Sequence, residues 1–412
     1  MIEYSSFELE NGLKVFVHED HTTSMAVLNI LYDVGSKDEV ESKTGFAHLF
    51  EHLMFGGSKN IPSYDEALQK AGGENNAFTS PDITNYYITI PANNIETAFW
   101  LESDRMMALS FDPNVLEVQR SVVIEEFKQR YYNQPYGDVW LALRPLTYKE
   151  HSYKWATIGK EISHIEQATM EDVRDFFYSY YLPNNAYMVV AGDVTLDQVK
   201  QLAEKWFGPI AKGTRRKRNI PIEPKQTAAR FEEVKAKVPF DALYKTYHMG
   251  GKLSPDFYAT DLLSDILGRG KSSRLYDALV QKNKMFTSLN AYIMSSVDPG
   301  LMVIDGKLAK GVTLEEADKA VSELVAQVVQ ETFSELELKK VKNQAESTVA
   351  FGEVEVLNRA MNLAYAAMLG DPDLVNTEAE KIQKVTTQDI SRIAKAVLDP
   401  ANCSTLYYRA EA

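Results

Sequence analysis

His48-Leu49-Phe50-Glu51-His52 puts two imidazoles and a carboxylate on one turn of a helix. At about 100° per residue, positions i and i+4 are neighbours and i+3 lies between them. Neutral imidazoles are good zinc ligands. A carboxylate that stays off the metal can take a proton from a metal-bound water whose pKa has fallen to about 7. The order is reversed from the commoner His-Glu-x-x-His, which makes this the inverted arrangement. The bland alternative is two histidines on a helix surface.

The flanking residues support a helix that presents this face to a site. Phe46, Leu49, Phe50 and Leu53 recur at i, i+3, i+4 and i+7 and centre roughly 150° away from the histidines. Thr44 reads as the N-cap and Gly56-Gly57 as the stop. A catalytic zinc site needs a third protein ligand and an open position. Asp112-Pro113, a cap followed by proline in the first turn, starts a second helix that runs through Phe127. Its apolar stripe is Leu116, Val123, Ile124 and Phe127. Glu126 lies roughly 95° from the centre of that stripe and Glu125 roughly 165° from it. Glu126 is therefore the expected ligand, and Glu125 a solvated surface charge.

With these residues in place the chain resembles the pitrilysin, or M16, family of zinc metallopeptidases, in its half-length, mitochondrial-processing-peptidase-like branch. The resemblance is carried by Asn11-Gly12-Leu13-Lys14-Val15, Gly35-Ser36-Lys37-Asp38-Glu39, Thr44 to Phe55, Asn76-Ala77-Phe78-Thr79, Val122-Val123-Ile124-Glu125-Glu126, Tyr181 to Ala186 and Ser272-Ser273-Arg274-Leu275. It implies one zinc ion per chain held by His48, His52 and Glu126, with Glu51 as general base. It also implies an α+β fold of two homologous domains of the LuxS/MPP-like metallohydrolase type, each an antiparallel or mixed sheet packed with helices. By spacing alone Gly72 to Thr79 is a turn. The resemblance makes Asn76, Ala77, Phe78 and Thr79 an edge strand that takes substrate as an added strand.

Two positions depart from the family pattern. Gln119 stands where many members carry an acid seven residues before the ligand glutamate. Val280 and Thr287 stand where the family's substrate-binding arginine and tyrosine would fall, and no arginine occurs between Arg274 and Arg359. In long members four such units enclose a chamber, and this chain supplies two. The expected assembly is a heterodimer with a homologous subunit that brings the arginine–tyrosine pair, ahead of a homodimer. The expected activity is zinc-dependent endoproteolysis of peptides or unfolded segments. The competing class is a non-catalytic scaffold or chaperone-like subunit.

The 412 residues, 45% hydrophobic and 11% aromatic, suffice for two large cores. Forty-four basic against 58 acidic residues give a net charge of −14, which argues against nucleic acid as a partner. No run approaches the roughly 18 apolar residues of a membrane span. Met1-Ile2-Glu3-Tyr4 shows neither a secretory signal nor a presequence, and Cys403 is the one cysteine, so a bacterial cytoplasm is expected, with the periplasm the alternative if a signal segment has been removed.

Ile165, Thr169, Asp172, Pro183 and Asn185 recur as Ile382, Thr386, Asp389, Pro400 and Asn402, every pair at one offset of 217. Each copy reads as a capped helix, a Pro-Xaa-Asn turn and a strand, Met188-Val189-Val190 in the first and Leu406-Tyr407-Tyr408 in the second. The expected organisation is a metal-binding domain over 1–212, a linker over 213–227 and a homologous domain without metal ligands over 228–412. The basic run Arg215 to Arg218 reads as solvated linker. His151 with Tyr153 is expected to be structural, and His18, His21, His164 and His248 receive no role.

Overall fold

Met25–Tyr32 and Ala186–Gly192 are buried along almost their whole length, as strands covered on both faces must be. In a computed structural model that describes residues 1–411, they are the centre of the first of two sheets. That sheet holds β1 (Ser5–Glu8), β2 (Lys14–Glu19), β3 (Met25–Tyr32), β4 (Glu74–Thr79), β5 (Thr84–Pro91) and β6 (Ala186–Gly192), in the order β1-β2-β6-β3-β5-β4. The second holds β7 (Arg230–Ala236), β8 (Ala242–His248), β9 (Phe286–Met294), β10 (Leu301–Leu308) and β11 (Cys403–Ala410), in the order β7-β11-β8-β10-β9.

The internal repeat is structural. β6 pairs parallel with β2 and antiparallel with β3, and β11 pairs parallel with β7 and antiparallel with β8. Thr169 and Thr386 each cap a helix in a capping box with Asp172 and Asp389. Asn185 Nδ2 donates to the Tyr180 and Asp33 carbonyls, and Asn402 Nδ2 to those of Val397 and His248. In both copies this amide ties the end of the helix to the end of the neighbouring strand.

The compact units are not contiguous in the chain. The first comprises Met1–Gln129, Trp155–Ile220 and Phe351–Thr377, and the second Arg130–Lys154, Pro221–Ala350 and Glu378–Ala412. The reason is the second face of each sheet, which must be covered. In the first unit Phe16, Val27, Leu31, Val189 and Ala191 are packed by Ala360, Leu363, Ala364 and Ala367 of the helix Val356–Met368. In the second, the repeat-equivalent face, Leu406 and Tyr408 with Ala242, is packed by Val139, Leu143 and Leu146 of the helix Val139–Thr147. Each covering helix comes from the other half of the sequence, which periodicity cannot reveal.

The basic run is docked through Arg218, while Arg215, Arg216 and Lys217 stay exposed. Arg218 donates to both oxygens of buried Asp38, at 2.6 and 3.2 Å, and to the Asp33 carbonyl, while Arg215 pairs with Asp33 and Arg216 with Asp175. Burial pushes the Asp38 carboxyl up and Arg218 pulls against it.

A fragment of residues 1–212 would leave the face of β2, β6 and β3 uncovered. It should unfold without a cooperative transition and bind a hydrophobic dye, and tethering 351–377 to it should restore cooperative melting in circular dichroism.

Candidate metal and proton-transfer site

The helix Phe46–Leu53 is fixed from both sides. Phe46, Leu49, Phe50 and Leu53 are buried as the periodicity requires, with Phe50 against Phe176, Phe177 and Tyr181 at centroid distances of 5.4, 5.9 and 4.5 Å. Its N-terminus departs from the expectation. Gly45, not Thr44, is the N-cap, in the left-handed region at φ 86°, where a Cβ would lie 2.5 Å from the Ile158 carbonyl oxygen. The Gly45 and Ala47 N–H groups donate to the two oxygens of Glu39 at 3.0 and 2.8 Å. Thr44 is drawn away: its Oγ1 accepts from Lys160 N–H at 2.7 Å and lies 2.8 Å from His164 Nδ1. A carboxylate reaching the cap from outside the helix has no local spacing signal, so Glu39 was visible in the sequence only as part of a family stretch.

Asp112 accepts from Asn114 N–H, and the second helix runs Pro113–Phe127 with Leu116, Val123 and Phe127 buried. Gly56 allows it to approach, since a Cβ there would meet Val115 at 2.2 Å. Glu125 is 63% exposed beside Lys128, whereas Glu126 is 21% exposed and faces the histidines.

His48, His52 and Glu126 form the one group of three or more such side chains, among the described residues, that could hold an ion. Glu126 Oε2 lies 3.6 Å from His48 Nε2 and 3.4 Å from His52 Nε2, and all three donor atoms fall within 4.8 Å of one another. Tetrahedral zinc with ligand bonds of about 2.0–2.1 Å sets donors roughly 3.4 Å apart. These residues fit zinc in type and spacing. The imidazole rings stand nearly perpendicular, at 82°, so their nitrogens converge without stacking.

Glu51 accepts a hydrogen bond from Thr79 Oγ1, at the end of β4. Beneath it is a buried polar layer that sequence patterning missed. Tyr86 OH and Tyr181 OH are 3.2 Å apart, and both phenols are held neutral by burial, with the negative Glu51 adding to the effect. The Arg105 guanidinium lies 4.4 Å from the Tyr86 ring centre and pairs with Glu102, both fully enclosed. Tyr86 and Arg105 sit in apparently ordinary strand and helix stretches, and only their convergence marks them.

Asn76, Ala77, Phe78 and Thr79 do lie on the edge strand β4, which pairs with β5 alone. Ala77 N–H donates to Asn76 Oδ1 at 2.8 Å. Val280 is half-buried against the core of the second unit, and Thr287 is exposed on β9 with its hydroxyl on the Lys307 carbonyl. His151 is buried, accepting from Tyr153 N–H and 3.5 Å from Asp298.

Residues 14–159 match the family model described as insulinase (peptidase family M16), and residues 167–345 the one described as peptidase M16 inactive domain. The chain is 31% identical over 346 residues to a zinc protease, PqqE, of Helicobacter pylori, covering 82% of this chain and 78% of that one. It is 29% identical over 209 residues to mitochondrial-processing peptidase subunit beta of Saccharomyces cerevisiae, 50% of this chain and 44% of that one. The crystal structure of a protease from Helicobacter pylori superposes with a TM-score of 0.93 at 27% identity, over 99% of this chain and 100% of that one.

Burial pushes the Glu39 carboxyl up to about 8, against the pull of the Ala47 and Gly45 N–H groups. A folded-state pKa above the unfolded one favours folding most at low pH, and that contribution is lost as pH rises through about 8. Glu39→Gln should therefore gain stability relative to the parent between roughly pH 5 and 8. Glu39→Ala, leaving two helix N–H groups without their acceptor, should lose about 1–3 kcal/mol. Urea unfolding across that pH range checks both.

Proposed function

This chain belongs to the M16 peptidase family, and we propose that it is the metal-bearing, catalytic subunit of a zinc-dependent endopeptidase acting on peptides or unfolded segments. The observation that carries this is the three-donor cluster at tetrahedral spacing with Glu51 on the same helical turn.

His48, His52 and Glu126 hold zinc in this reading. Zinc bound there would polarise a carbonyl and lower the pKa of a coordinated water to about 7. Glu51 accepts the proton of the attacking water and returns it to the departing amine, as a carboxylate off the metal can. Thr79 fixes the Glu51 rotamer by its hydrogen bond and links it to the edge where substrate is held. The substrate adds to β4 as an extended strand, its backbone displacing the Asn76 side chain from the Ala77 N–H. The closed tyrosine layer under Glu51 keeps water from reaching the base from behind.

Val280 and Thr287 cannot supply a cation and a phenol, so a homologous partner subunit that does is the economical completion. The yeast relative's name, a subunit beta, supports a paired assembly. The same two residues, with the inactive-domain match over 167–345, favour the second reading, a non-catalytic scaffold. No helix among the described residues is long and apolar enough to cross a membrane. We assign the cytoplasm on the single cysteine, which fractionation of the source cell checks.

Glu51→Gln should keep close to one zinc per chain while hydrolysis of an unfolded peptide falls by several orders of magnitude. His48→Ala, His52→Ala or Glu126→Gln should lose zinc, and Glu125→Gln should do little. Metal analysis beside turnover decides, and loss of zinc in the Glu51 variant would remove it from the role of base. Thr79→Val should keep zinc and slow hydrolysis about tenfold or more, the loss of one hydrogen bond to a charged group. The isolated chain should be zinc-loaded but nearly inactive, because removing an oxyanion donor costs about 10²–10³ in rate. Mass and turnover measured with and without a homologue bearing the arginine–tyrosine pair test this. Full activity of the chain alone would show that no such partner is needed.

A further inference from the structure

The repeat allows the second unit's core to be compared with the first position by position. Met188 on β6 pairs with Ile30 on β3, and both are fully buried. The equivalents in the second unit are Thr405 on β11, paired with Lys245 on β8, and Lys245 meets Asp318 on the helix Leu314–Gln330. One copy fills this layer with apolar side chains. The other places an ammonium and a carboxylate there, beside a cavity of about 550 Å³.

An ion pair between a buried ammonium and a half-buried carboxylate adds little stability that well-packed apolar residues of similar volume would not. The cavity beside it falls inside the roughly 300–1,000 Å³ range of small-molecule sites. Lys245 is 4% exposed and lines the cavity. Its ammonium donates to Asp318 Oδ1 at 2.6 Å and Thr405 Oγ1 at 3.0 Å, so one of its three N–H bonds has no acceptor among the described residues. Asp318 is already engaged: Oδ1 also accepts from Ser322, and Oδ2 from Tyr407 OH. Lys395 and Arg230 also line it, the Arg230 guanidinium donating to the Leu146 and Thr147 carbonyls, and the one other acid, Asp399, accepts from Ala401 N–H within its own turn. Val325, Val329 and Leu398 make the walls apolar.

We propose that this cavity binds a small carboxylic acid with an apolar body, its carboxylate on the remaining Lys245 N–H and its chain along the Val325 and Leu398 wall. The site lies wholly within the second unit and is independent of the metal residues.

The test uses the full chain with octanoate, octanol and octylamine, by calorimetric titration and thermal shift. Octanoate should bind saturably and raise the melting temperature, and the alcohol and amine should bind at least about tenfold more weakly, as the loss of a charge-assisted hydrogen bond requires. Lys245→Met should weaken octanoate by a similar factor while leaving octanol unchanged. Ala326→Trp, at an exposed position on the cavity rim, should block all three ligands without unfolding the protein. Absence of saturable octanoate binding to the parent chain, equal binding of octanol, or binding that survives Ala326→Trp would each overturn the proposal. The parent chain's discrimination among the three ligands decides even if Lys245→Met fails to fold.

Discussion

Two imidazoles one helical turn apart are an incomplete ligand set. Packing in the first unit brings Glu126 to within about 3.5 Å of both of them, which completes the proposed set. A helix can deliver two donors from its own geometry, but the third must come from a separate element held rigidly against it. Here the separation is governed by Gly56, which lets Val115 and the second helix close in, and by the aromatic packing of Phe50, which prevents the first helix from rolling. A rotation of either helix by a fraction of a turn would point a donor away. Packing density and metal geometry are thus one constraint.

The electrostatics of the site are arranged around the same helix. Its N-terminal N–H groups are satisfied by Glu39, a buried carboxylate that burial biases toward the neutral form and the helix end toward the charged one. On the opposite side Arg105 and Glu102 form an enclosed pair beneath Tyr86, so the floor below Glu51 is polar and buried. Above this floor Glu51 meets the end of β4 through Thr79.

Duplication explains the architecture and also its divergence. Both copies keep the capped helix, the asparagine tie and the parallel–antiparallel central strand, since these close the fold. The copies then specialise within that frame. The first carries the proposed ligand set; the second has no such cluster among the described residues, and it replaces two apolar strand positions with Lys245 and Thr405. The exchange of covering helices, Val356–Met368 for Val139–Thr147, makes each unit depend on sequence from both halves.

The sequence by itself determined what is local or periodic. Apart from the edge strand at Asn76 to Thr79, which only the family resemblance supplied, it contained the turn that carries His48, Glu51 and His52, the choice of Glu126 over Glu125 from its angle to the apolar stripe, and the repeat that the two sheets share. These follow from helical and strand geometry, which a chain obeys over a few residues whatever its surroundings. Tertiary structure alone decided the rest. It put Glu39 rather than Thr44 at the helix start, docked Arg218 on Asp38 instead of leaving it in solvent, exchanged the covering helices between the halves, and converged Tyr86, Tyr181 and Arg105 beneath Glu51. Glu39 reaches Gly45 and Ala47 six and eight residues on, outside any helical period, and the others join residues far apart in the chain; desolvation acts on what meets in space, leaving no periodic trace in the order of residues.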